Sequence, residues 1–455
     1  MMDDLTQRIT RHVMGATYED LPSHTVKVIK KLFLDTLGTT LAGSGVDEVK
    51  TLTNMVVGWG GQKECTIAVF GGKVPAHHAA LVNSAMARAR DLDDVHEAGG
   101  GHLSATFVPA SLVLAEHAER PVSGKEVILG IALGADLTCR IRSAITTYSG
   151  WLAETFAPFG VVAMASKFMN FDEERLNNAL GIAFSTCSGS LQAATDGAST
   201  VKLQQGLGAQ SGVLSTVLAE NGFTGVKDIF DGTFGFIRLY GQGKYHRHLI
   251  ENLGNPYEVT NDSVKPYPCC KYIHMPILGV LDLIKENHID PNTIARINIY
   301  ANTNTSKVTL TDPHLSSTVD AQFSTPYCVA VAARRGRVFI DDFTEERIRD
   351  NDVLALAEKV KVITDPELDK IPQMIAPCRV EIKTVDGRSY TRYVEYAKGH
   401  PKNPMTMDEI AEKFRQCAQF SARPFQPARI AQIIESVTNL ETIGDVRQIA
   451  ELMVA

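Results

Sequence analysis

The stretch from Asp91 to Ser104 constrains this chain more than any other. It reads Asp-Leu-Asp-Asp-Val-His-Glu-Ala-Gly-Gly-Gly-His-Leu-Ser, between a small-residue run, Ala79 to Arg90, and an apolar run, Phe107 to Ala118. Four acids and two histidines crowd around three consecutive glycines. Histidine exchanges protons near neutral pH, and a neighbouring carboxylate tunes it. Glycines let the backbone turn sharply and come close to a ligand. An ionisable elbow between two apolar helices is costly as packing alone, so it reads as a site. The plainer alternative is an exposed acidic connection with a flexible glycine tip.

At 455 residues the chain has length for about two or three domains. Its 44% hydrophobic and 21% charged residues are ordinary for a globular protein. A formal charge of -7, without basic clusters, argues against a nucleic-acid surface. The N-terminus lacks the basic and apolar regions of a signal peptide, and the apolar runs break too early to span a bilayer. The eight cysteines include no CxxC pair, which points to reduced thiols and a cytoplasmic protein.

Residues 20–43 read as a capped amphipathic helix opening at Pro22 and Ser23 and stopping at Gly43. Cys65 to Phe70 is strand-like, and Pro75 starts the helix that leads to Arg90. From Ser104 to Leu253 the pattern is mostly helical, and its character changes near Asn255 and Pro256. A polar, proline-containing crossing, Asn261 to Pro268, follows. Then come a helix over Pro276 to Asn287, an alternating strand over Ala295 to Tyr300, and a helix over Ala321 to Arg334. Pro377 to Thr384 and Ser389 to Glu395 flank Asp386-Gly387, a hairpin signature. Helices return after His400-Pro401. Ile410, Phe414, Ile430 and Ile434 recur there at helical spacing and need a helical partner.

Asp91-Leu92-Asp93-Asp94-Val95 followed by His102-Leu103-Ser104 resembles the signature of the MmgE/PrpD family, which includes 2-methylcitrate dehydratases, cis-aconitate decarboxylases and iminodisuccinate epimerase-like proteins. The run Leu32 to Gly43 and the segment Lys265-Pro266-Tyr267-Pro268 extend the resemblance over most of the chain. It implies a mainly α fold: an all-helical domain built from both chain ends, residues 1–260 and 401–455, with a smaller inserted α+β lid, residues 261–400. It also implies a homodimer.

The resemblance makes Asp91 and His102 the catalytic pair, with His102 as acid/base and Asp91 as its partner. Asp93 and Asp94 are harder to place, one of them being a capping residue for the loop. His96 is a weak candidate. In Asp196 to Gly206 the alignment sets Val201 on the family's substrate-facing lysine, with Lys202 one position later and Gln204 on a family histidine. A one-residue shift turns a helical side chain by about 100°. Lys265 matches the lysine at the lid entry and is read as catalytic. Cys270 stands where decarboxylases carry a histidine, Lys271 replaces an arginine, and His274 opens a helix. Tyr327 matches a tyrosine that hydrogen-bonds substrate, with buried packing as its alternative. Ala157 stands on a site histidine. Together with Val95 for threonine, Leu103 for proline and Gln204 for histidine, this makes the pocket less polar than the dehydratase pattern, so the substrate is expected to carry fewer carboxylates or an added apolar group.

The expected function is a cofactor-independent lyase acting on a small carboxylic acid by proton transfer α to a carboxylate, with hydration or dehydration preferred over decarboxylation and epimerisation. Neither a metal nor a cofactor is expected. The rivals are a metal-dependent hydrolase using Asp91, Asp93, His96 and His102, and a non-catalytic family member serving as a scaffold.

Overall fold

The computed structural model describes residues 5–99, 101–145, 150–244, 246, 252–371, 373 and 375–455. Gly100 of the elbow, and residues 146–149, 245 and 247–251 of the run read as helical, lie outside the described residues. The chain divides into two units: Met1–Asp262 with Thr406–Ala455, and Ser263–Met405. It is mostly helical. Among the described residues, no helix is long and apolar enough to cross a membrane.

In the first unit, small residues let helices approach. The helix Thr200–Glu220 packs on Ala76–Arg88 and Ala157–Phe168, and the latter also packs on Gly124–Ala144. A methyl group on Gly206 would stand 2.3 Å from the Leu81 carbonyl oxygen, and one on Gly160 would stand 2.3 Å from that of Gly134. Only glycine allows those contacts without moving backbone. Starts are marked by side chains: Ser123 and Glu126 form a capping box on Gly124–Ala144, as Thr406 and Glu409 do on Met407–Ala418. Met407–Ala418 and Pro427–Thr438 both pack on Ser23–Gly43. Ile410 and Phe414 are buried there, but on the second helix the buried residues are Ile433 and Val437, with Ile430 and Ile434 only half-buried.

Regular helix ends earlier than the composition suggests. After Glu220 the described residues up to Asp262 hold only short turns of helix, so the change of character falls near Asn221 rather than Asn255. The strand expected over Cys65 to Phe70 shrinks to Cys65–Thr66, paired with Lys73–Val74.

The second unit is built on a four-stranded sheet in the order Val360–Thr364, Ile294–Ala301, Cys378–Thr384, Ser389–Val394. The first pair is parallel and the others antiparallel. Alternation along Ile294–Ala301 is broken by a register shift between Ile294 and Arg296. The helices His274–Asn287 and Thr325–Arg335 pack together, and the first lies on the hairpin. The single helix expected over Ala321 to Arg334 is two, Thr318–Phe323 and Thr325–Arg335, because Ser324 caps the second by accepting the Tyr327 amide.

Candidate active site

The elbow connects Ala76–Arg88 to Leu103–His117. Asp91 has φ 53, the left-handed region that a short polar residue tolerates, and this turns the chain out of the first helix. Its carboxylate folds back on its own helix, where Arg88 Nη1 donates to Oδ1 at 2.6 Å. His102 Nδ1 instead lies 3.0 Å from Asp93 Oδ2. Arg88 Nη1 also reaches Asp93 Oδ1, at 3.2 Å. Asp93 therefore bridges the guanidinium and the imidazole, and the expected Asp91–His102 pair is replaced by Asp93–His102. The cause is local: the left-handed turn at Asp91 points its side chain at Arg88, three residues back.

Arg88 and His102, which flank Asp93, are both largely buried. Burial works against the Arg88 charge, but Asp93 and Asp91 outweigh it and hold the guanidinium above its ordinary value. The Asp93 contact lies on the Nδ1 side of the ring, which leaves Nε2 as the nitrogen open to a substrate. Nε2 has no protein partner among the described residues, and the ring is 13% exposed.

The His102 backbone is held from two other helical segments. Its amide donates to Glu154 Oε1 at 2.8 Å, and its carbonyl accepts from Gln205 Nε2 at 2.8 Å. Gln205 also donates to Thr106 Oγ1. Asp94 takes the capping role: its oxygens accept the Ser104 amide and hydroxyl at 3.1–3.2 Å at the start of Leu103–His117. Burial and then the Asp93 charge raise the Asp94 carboxyl. Burial and then the Asp94 charge raise the Asp262 carboxyl well above its ordinary range. His96 accepts the Gly99 amide at Nδ1 and faces Glu258 Oε2 through Nε2, at 2.9 and 3.3 Å. That turns it away from the set proposed for a metal. No group of three or more His, Cys, Asp or Glu suited to a metal ion occurs among the described residues.

On Thr200–Glu220 the side chain that meets His102 is Gln205, not Gln204. Gln204 Nε2 donates to the Ser190 carbonyl at 3.2 Å. Lys202 Nζ lies 3.4 Å from Glu48 on Asp47–Trp59, so its charge is directed at that acid rather than at His102. Ala157 is buried at the start of Ala157–Phe168.

The remaining candidates belong to the second unit. Lys265 and Lys271 are buried, at 2% and 5% exposure. Cys270 caps the short turn Lys271–Ile273 and donates its amide to the Gln322 carbonyl at 2.9 Å. His274 pairs Nε2 with the Cys269 carbonyl at 3.1 Å, and its ring lies 5.2 Å from that of Tyr267. Tyr327 is fully buried, and its hydroxyl faces the carbonyls of Asp342 and Arg347. It is a core residue, so the expected contact with substrate is corrected. Its helix buries all round, and a phenol in such a core takes a backbone partner.

Residues 7–248 match the MmgE/PrpD N-terminal domain and residues 267–440 match the MmgE/PrpD C-terminal domain. The chain is 26% identical to a cis-aconitate decarboxylase of Aspergillus terreus, over 99% of this chain and 96% of the relative. It is 25% identical to the cis-aconitate decarboxylase-like protein oryM of Aspergillus oryzae, over 99% and 97%. To the cis-aconitate decarboxylase of Homo sapiens it is 24% identical, over 100% and 95%. With both domains matched along nearly its whole length, the chain belongs to the MmgE/PrpD family.

Proposed function

We propose that the chain is a lyase that moves a proton on and off the carbon next to a carboxylate of a small acid, with hydration or dehydration as the net reaction. The observation that carries this reading is Asp93, buried between Arg88 and His102. His102 Nε2 takes the α-proton, and Asp93 stabilises the imidazolium that results. The electron pair left on carbon is delocalised into the carboxylate, an enediolate that positive charge stabilises. In dehydration the β carbon–oxygen bond then breaks, and the leaving hydroxide departs as water with the proton that His102 took from the α carbon. The step transfers no electrons to an acceptor and so calls for no redox cofactor.

Decarboxylation is the second reading. It is favoured by full-length similarity to proteins named cis-aconitate decarboxylase. There the carbon–carbon bond to the departing carboxylate breaks, and His102 protonates the resulting carbanion. Ala157, Val95, Leu103 and Gln204 make the pocket less polar than the family pattern, which favours a substrate with fewer carboxylates or an added apolar group. The assembly that fits this reading is a cytoplasmic homodimer, tested by light scattering at micromolar concentration.

Incubation with a panel of mono-, di- and tricarboxylic acids in deuterated water separates the readings. Water loss or addition with α-deuteration supports the first, and release of carbon dioxide supports the second. A protein that produces neither, and exchanges no α-proton, overturns both.

A further inference from the structure

We propose that Lys413, near the C-terminus of the chain, is a positioning residue for the loop that carries Asp93 and His102; this rests on the proposed function. Lys413 lies on Met407–Ala418, and its side chain is 4% exposed. Its ammonium stands 2.6 Å from Asp35 Oδ1, on Ser23–Gly43, and donates to the Leu92 carbonyl oxygen at 2.9 Å, across 321 positions of sequence. That carbonyl belongs to the peptide unit that ends in the Asp93 amide. The peptide is planar, so fixing the Leu92 oxygen fixes the plane from which Asp93 projects. Asp93 in turn lies against the His102 ring, its Oδ2 3.0 Å from Nδ1.

Stability alone does not explain a buried lysine here. A buried ammonium and carboxylate each give up hydration that their attraction only roughly returns, and apolar residues of similar volume serve a helix contact as well. What an apolar pair cannot supply is a directed donor to Leu92. Asp35 balances the ammonium's charge, and one of the three N–H groups donates to the loop.

The test separates charge burial from loop placement. Asp35→Asn keeps Lys413 as donor to Leu92, whereas Asp35→Asn with Lys413→Met removes both charges together with the donor. The double variant should melt close to wild type. Its kcat should fall about 10- to 100-fold with KM changed less, since a displacement of about 1 Å costs a rate of that order. Amide hydrogen exchange over residues 91–104 should accelerate in the double variant, while Asp35→Asn alone keeps most of the rate and protection. If the double variant does not fold, Lys413→Arg, which keeps the charge but displaces the donor, is read in the same way. Wild-type kcat with wild-type protection of 91–104 in the folded variant overturns the proposal. Hydrogen exchange needs no substrate, so it decides the role of Lys413 even if no tested acid turns over and the proposed reaction fails.

Discussion

The two stretches that carry most of the candidate residues are built on opposite principles. In Asp91 to Ser104 acids dominate, and each acid met at the core of the site has a defined neighbour: Asp91 has Arg88, Asp93 has Arg88 and His102, and Asp94 has Ser104. In Lys265 to His274 there is no acid in the sequence at all, and two lysines are buried. The first stretch sets acids around an imidazole, and the second buries positive charge. If the first serves proton transfer and the second carboxylate binding, as proposed, variants in each stretch should fail in different ways.

His102→Gln should have the largest effect, a loss of about 10²–10⁴ in kcat with the fold retained, because glutamine hydrogen-bonds but does not titrate near neutral pH. Asp93→Asn should follow at about 10²-fold, with Asp91→Asn much milder; steady-state kinetics that find Asp91 the more damaging of the two would break the wiring described for the loop. Lys265→Met should act on the other side of the comparison, raising the KM for a carboxylate about 10-fold or more as well as lowering kcat. An effect confined to kcat would assign it to the chemistry alone.

Smaller effects sharpen the distinction between site and scaffold. Asp35 is pushed up to about 6, by burial first, against the pull of Lys413. An acid raised above its unfolded value makes the folded state hold more protons than the unfolded chain between the two values, so stability falls as pH rises through that window. Relative to Asp35→Asn, the wild type should gain about 1 kcal/mol as pH drops from about 7 to about 5.5. Parallel melting curves over that range would contradict it. Tyr327→Phe should lower stability by about 1 kcal/mol and leave kcat and KM unchanged, as loss of one buried hydrogen bond predicts. A selective loss of substrate affinity would return Tyr327 to the site.

The helical character, the Asp-Gly hairpin and the crowding of ionisable groups at the elbow were legible because each rests on local pattern: apolar spacing, turn residues, and acids and histidines set between apolar runs. The partner of His102 was not, because the choice between Asp91 and Asp93 turns on one backbone angle, the left-handed φ at Asp91. Glu154 and Gln205 reach His102 from distant segments, and no spacing in the chain announces that. Gln205 stands beside Gln204, and the helical rotation of about 100° between them decides which one meets the loop. Tyr327 carried a family pattern, yet its helix is buried on all sides and its hydroxyl turns to backbone carbonyls. The register shift at Ala295 leaves no mark in an apolar alternation that otherwise reads as regular.

On the proposed function, Asp93 and His102 together move the α-proton. The most direct measurement of this is exchange of that proton with deuterated solvent, followed by NMR on the wild type, His102→Gln, Asp93→Asn and Asp91→Asn, with thermal melts confirming that each is folded. The account predicts exchange in the wild type and in Asp91→Asn, and its loss in His102→Gln and Asp93→Asn. Exchange in folded His102→Gln at the wild-type rate would contradict it and leave the elbow an acidic connection between helices.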